Sequence, residues 1–173
     1  METLLDLLKI ILPAALVLYG MYVTINSFLA KEFEKRVVEL KLKNTDIILP
    51  IRLQAYERMC LFLERISPHN LVIRINEPGI DVSQFHQKLL TEIRNEYNHN
   101  LSQQVYMTDN SWNLIKKAME DVMSIINSAA LDVPKDARSI ELAKMVFENL
   151  MQRNQDPISP ALKFIKEEIR VVF

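Results

Sequence analysis

Few residues in this chain are equipped for chemistry. Its one cysteine is Cys60 and its histidines are His69, His86 and His99. Glu96-Tyr97-Asn98-His99 has the Glu-x-x-His spacing that places a carboxylate and an imidazole one helical turn apart. Carboxylate-bridged di-metal bundles use two such motifs with two further glutamates from facing helices. A single copy does not make that site, so no metal ligand is assigned and Glu92 and Glu96 read as solvated. Cys60 falls on an apolar helical stripe, where a thiol stays protonated and inert, and packing is the simpler account of it. A phosphate-cradling loop needs clustered glycines, and the chain has only Gly20 and Gly79. No Gly-x-Ser-x-Gly nucleophile elbow occurs. These motifs support no catalytic residue and no cofactor, and the expectation is a protein that is not an enzyme. A cleft holding Glu92, Glu96 and His99 together would reopen the question.

The elements that would position these residues read as helices. Glycine is scarce, and Leu, Ile, Met, Glu, Lys and Gln are abundant. The fold class expected is all-α: an N-terminal transmembrane helix followed by a small helical bundle of four longer helices with short connecting ones. Setting aside Lys9, Glu2 and Asp6, residues 31–173 carry twenty basic and twenty acidic side chains. This balance leaves no electrostatic footprint for nucleic acid. The lone cysteine excludes an internal disulfide and suits a reducing compartment.

Twenty-one residues without a charge, Ile10 to Ala30, lie between Lys9 and Lys31. As a helix they span roughly 31 Å, the thickness of a bilayer's hydrocarbon core. Ile10, Leu16, Gly20, Ile25 and Ala30 mark the span. The acidic first residues and the long apolar run argue against a cleaved signal peptide. Lys31, Lys35, Arg36, Lys41 and Lys43 outnumber the basic groups before the span, which places residues 31–173 in the cytoplasm. Three parts follow: residues 1–30 as anchor, 31–48 as a helical juxtamembrane linker and 49–173 as a cytoplasmic bundle. Phe33, Val37 and Leu40 give one heptad of apolar seam in the linker, too short for a coiled coil and open to packing on the domain instead.

Leu49-Pro50 predicts a break and restart. After it, Tyr56, Met59, Cys60 and Leu63 form a stripe that Ala55, Phe62 and Ile66 widen. Ser67-Pro68 starts a short helix. Residues 71–76 read as helix there, with a strand as the alternative. Asp81 caps a helix from Val82 to about His99, with Val82, Phe85, Leu89, Ile93 and Tyr97 inward. Residues 100–108 are polar and irregular. Thr108 or Asp109 caps the next helix, whose face runs through Trp112, Ile115, Ala118, Met119, Val122, Ile126 and Ala129. Pro134 is expected to open another, with Ile140, Ala143, Phe147 and Leu150 inward. Ser159-Pro160 opens the last, with Ala161, Leu162, Ile165, Ile169 and Val172 on its face.

The run from Leu49 through Arg58, on through Leu61 to Pro68, resembles a family of uncharacterised bacterial single-pass membrane-anchored helical proteins. Asn98 to Tyr106 followed by Trp112 resembles the same family. The resemblance implies a bacterial inner-membrane setting, and it carries no assigned activity and no functional residue. The function expected is a membrane-anchored interaction, scaffold or accessory subunit. Its partners would be the bilayer and another membrane or cytoplasmic protein, with no nucleic acid. Candidate contact residues are Gln103, Gln104 and Tyr106 in the polar connection and Arg52 and Arg65 on the helix before it. The alternatives are a self-associating structural protein, with Tyr19, Gly20, Tyr22 and Thr24 in helix contact inside the span and Gly20 and Thr24 as its small-xxx-small pair, and an enzyme with a distributed polar site.

Overall fold

A computed structural model describes residues 2–153 and 156–172, with the side chains of 2–10, Asn44 and Val172 outside the description. Every regular element among the described residues is helical. In chain order they are α1 (Glu2–Ile66), α2 (Pro68–Ile75), α3 (Val82–Asn100), a 3₁₀ turn (Leu101–Tyr106), α4 (Asp109–Leu131), α5 (Ser139–Gln152) and α6 (Ser159–Val172). The chain divides into two units, Met1–Leu49 and Pro50–Phe173.

In the first unit α1 has no buried side chain among those described. Thr24 turns its hydroxyl back onto the Gly20 carbonyl at 2.7 Å, and Thr45 does the same to Lys41 at 2.9 Å. Arg36 pairs with Glu32 and Lys35 with Glu39, each one turn away. The expected break at Leu49-Pro50 does not occur, because α1 runs through it. Proline already holds the helical φ and removes a single donor. Good helix formers follow it in Arg52, Leu53, Gln54 and Ala55, and no glycine lies nearby, so the helix carries that loss.

The second unit is built on the C-terminal part of α1, whose Ala55, Tyr56, Met59, Phe62, Leu63 and Ile66 are buried. With α3 to α6 it gives five longer helical stretches rather than four, and α2 is the short one. The core combines that stripe with Phe85, Leu89 and Ile93 of α3, Ile115, Val122, Ile125 and Ile126 of α4, Leu142 and Val146 of α5, and Ile165 of α6. Cys60 is half-buried against it. The stripes read from the sequence on α1, α3 and α4 match this core. Ile169 and Leu162 are half-buried beside it, and Val172 lies outside the described side chains.

Local hydrogen bonds explain the boundaries. Residues 71–75 are helical because Ser67 caps α2, accepting from the Asn70 amide, with Pro68 in the first turn. Asp81 caps α3 by accepting from the Gln84 amide at 2.7 Å, and Thr108 caps α4 by accepting from the Ser111 amide at 3.3 Å. Helix α5 starts at Ser139, not at Pro134. The backbone between them is engaged elsewhere: Val82 N–H donates to Ala137, Ser83 N–H to Lys135, and Ser139 N–H to Ile80. Those contacts satisfy orphan donors in the first turn of α3 and hold residues 135–138 out of a helix. The late start also turns α5 relative to the sequence reading. Leu142, Ala143 and Val146 are buried, Phe147 and Leu150 are half-buried, and Ile140 is exposed.

Candidate functional site

The site lies within the second unit, where α1 runs beside the C-terminal half of α3. Helical spacing lines up Arg58, Leu61, Phe62 and Arg65 on α1 with Glu92, Asn95, Glu96 and His99 on α3. They line an open cleft of about 530 Å³ that Asn100 closes at one end. One aromatic side chain, Phe62, lines it and leads into an aromatic row behind the cleft. Phe62 meets Tyr97 at 6.1 Å between ring centres, and Tyr97 meets Trp112 at 5.7 Å.

The walls of the cleft are charged. Arg65 forms an ion pair with Glu96 and lies 3.9 Å from Glu92, which Arg74 of α2 also binds. Arg74 donates in addition to the Arg65 carbonyl at 3.3 Å, tying α2 to the end of α1. Partly exposed pairs of this kind contribute about 0–1 kcal/mol each, so their main effect is to fix side-chain positions. Arg58 has no ion pair among the described residues and is exposed beside Leu61, which is 56% exposed.

Glu92, Glu96 and His99 therefore do share one cleft, which their sequence spacing left undecided. Both carboxylates are held by guanidinium groups. A general base needs a free carboxylate within reach of a substrate proton, and these are occupied by arginine. No group of three or more His, Cys, Asp or Glu that could hold a metal occurs among the described residues.

The 3₁₀ turn continues directly from Asn100, whose side chain donates to the Glu96 carbonyl at 2.8 Å and ends α3. Arg52 Nε donates to the Tyr106 carbonyl at 3.3 Å, so two of the sequence candidates meet. Gln103 is half-buried and bonds Ser102, while Gln104 is exposed. Arg65 lies elsewhere. It is 13 residues from Arg52 along α1, roughly 20 Å at the helical rise, and it belongs to the cleft. Sequence reasoning missed Leu101 and Val105 on the outer side of the turn, with Val105 77% exposed. The available signal was two branched apolar residues inside an otherwise polar connection.

Behind the turn Tyr56, Arg52, Ser111 and Glu168 form a polar cluster. Ser111 is fully buried and its hydroxyl donates to Glu168 of α6. The buried Tyr56 hydroxyl has no partner at hydrogen-bonding geometry among the described residues, with Arg52 and Glu168 as its polar neighbours. Burial raises its pKa above the ordinary tyrosine value; Glu168 adds to the rise and Arg52 opposes it. Burial also pushes the Cys60 thiol up, against the pull of Lys166, which keeps it protonated and unreactive at neutral pH.

Of the residues marking the apolar span, Leu16, Gly20, Ile25 and Ala30 are all exposed on α1, and the side chain of Ile10 lies outside those described. Thr24 satisfies its hydroxyl within its own helix, and nothing lies within 4 Å of a Cβ placed on Gly20.

Comparison with known proteins gives one result. Residues 2–172 match DUF7935, a family of unknown function, and the chain belongs to that family. No curated protein and no solved structure matches.

Proposed function

We propose that this member of DUF7935 is a membrane-anchored helical scaffold or accessory subunit that works by contact rather than catalysis. Residues 10–30 of α1 cross the inner membrane of a bacterium once, and residues 31–173 lie on its cytoplasmic side. One observation carries the reading: from Ile11 to Ala30 the helix is almost wholly apolar, yet the chain buries none of it. α1 is long and apolar enough to cross a membrane. Exposure of that much apolar surface to water is costly, at about 25 cal/mol per Å², and a bilayer removes the cost.

Contact with a partner protein is placed at the cleft and the turn beside it. Arg58, unpaired among the described residues, and Tyr106 are of the types enriched at interface centres, and Leu61, Leu101 and Val105 add exposed apolar surface beside them. Co-purification in mild detergent, followed by mass spectrometry, tests this. A stoichiometric partner that is lost with Val105→Asp and Arg58→Glu, while Trp112 fluorescence reports an intact bundle, is expected. A partner that binds both variants normally contradicts the placement.

The cleft favours one other reading, an enzyme with a distributed polar site around Glu92, Glu96 and His99. It requires Arg65 to release Glu96 when substrate binds. A small-molecule ligand whose binding Glu96→Gln abolishes would support it.

A further inference from the structure

We infer that Arg52 is a positioning residue for the contact surface: it latches the 3₁₀ turn to α1, and Tyr56 with Glu168 forms a second seat that draws it away. The contact reading above supplies only the use made of the turn. The latch itself stands on the second unit alone.

The turn has little of its own to hold it. None of its six side chains is buried, and only Gln103 is half-buried. A 3₁₀ turn also has poorer hydrogen-bond geometry than an α-helix. The turn continues from α3 through Asn100, and beyond its other end Met107 packs partly on the core. Among the described residues one side chain from another element bonds it. Arg52 Nε reaches across 54 residues of sequence to the Tyr106 carbonyl at 3.3 Å.

Behind Arg52 stands the second seat. Tyr56 follows one helical turn later on the same face of α1, and it is 2% exposed. Its hydroxyl has Arg52 and Glu168 of α6 as polar neighbours and meets neither at hydrogen-bonding geometry. Glu168 accepts from the buried Ser111 hydroxyl. Neither Arg52 nor Glu168 forms an ion pair among the described residues. A guanidinium carries five donors, so Arg52 can serve either seat. Turned forward, as here, it binds the Tyr106 carbonyl and docks the turn. Turned back, it donates to the Tyr56 oxygen and pairs with Glu168. That position satisfies a buried hydroxyl and gains a charge-assisted bond, and it frees the turn. A partner that binds the docked turn favours the forward position and so takes Arg52 away from α6.

Hydrogen exchange of the full chain in mild detergent, read by mass spectrometry on the peptide over residues 101–107, tests the latch with no partner present. Denaturant unfolding followed by Trp112 fluorescence checks the bundle. Arg52→Ala should speed exchange of that peptide several-fold and leave the bundle transition in place. Tyr56→Phe and Glu168→Gln each weaken the second seat, and Glu168→Gln keeps an acceptor for Ser111. Both should slow the exchange below that of the unsubstituted protein. Opposite signs mark a latch, because loss of a merely structural contact loosens the turn at any of the three positions. Unchanged exchange in Arg52→Ala overturns the inference. So does faster exchange in Tyr56→Phe and Glu168→Gln with the bundle intact. The contact reading fails separately: a partner that still binds Val105→Asp removes the use of the turn and leaves the exchange pattern.

Discussion

The two stretches of α1 have similar apolar content and opposite fates. Between Pro50 and Ile66 six apolar side chains go into a core shared with α3 to α6. Between Ile11 and Leu49 none of the described side chains is buried. Helix propensity is alike in both, since neither stretch has a breaker beyond Pro13, Gly20 and Pro50. What differs is the cover. The later stretch finds it in its own chain, and on the proposed reading the earlier one takes it from a bilayer. An apolar helical face is thus a statement about a missing neighbour, and only packing shows whether the chain provides that neighbour.

The largest expected effect that breaks this comparison is in the core. Phe62→Ala should destabilise the second unit by about 3–5 kcal/mol, read by denaturant unfolding with Trp112 fluorescence. Leu16→Ala, on the exposed stretch, should leave the same transition unmoved. Next is the span. Leu16→Arg should cost about 2.5–3.5 kcal/mol of insertion and shift protein from the membrane to the soluble fraction, with the Trp112 transition unchanged. A loss of bundle stability instead would mean that the chain itself covers Leu16.

A smaller effect concerns Tyr56. Its raised pKa favours the protonated form in the folded state. The associated stability is fully present below the unfolded value near pH 10 and is lost as pH rises through the folded value. Tyr56→Phe should be near neutral at pH 7, because no hydrogen bond is lost, and should flatten the loss of stability above about pH 10.

Much of the fold is legible in the residues because each helical face repeats. Val82, Phe85, Leu89 and Ile93 announce α3, Ser67 and Asp81 announce their caps, and of the pair Thr108 and Asp109 the structure selects Thr108. What was not legible depended on partners distant in sequence. Pro134 looks like a helix start until Ile80, Val82 and Ser83 engage the backbone of residues 135–139. Pro50 looks like a break until both flanks prove helical. The cleft depends on α1 and α3 lying side by side, a matter of tertiary packing that the spacing of Glu92, Glu96 and His99 does not encode. Val105 was hidden for the opposite reason: an exposed apolar residue in a short turn has no period to reveal it.

The central claim, that α1 before Leu49 is covered from outside the chain, is tested most directly by labelling single cysteines along it with a membrane-impermeant maleimide. In intact cells or sealed inside-out vesicles, cysteines at positions 16, 19 and 23 should resist the reagent. A cysteine at position 35 should react in inside-out vesicles and not in intact cells, as a cytoplasmic linker requires. Rapid labelling at 16, 19 and 23 in sealed vesicles would contradict the span and with it the account of this helix as an anchor.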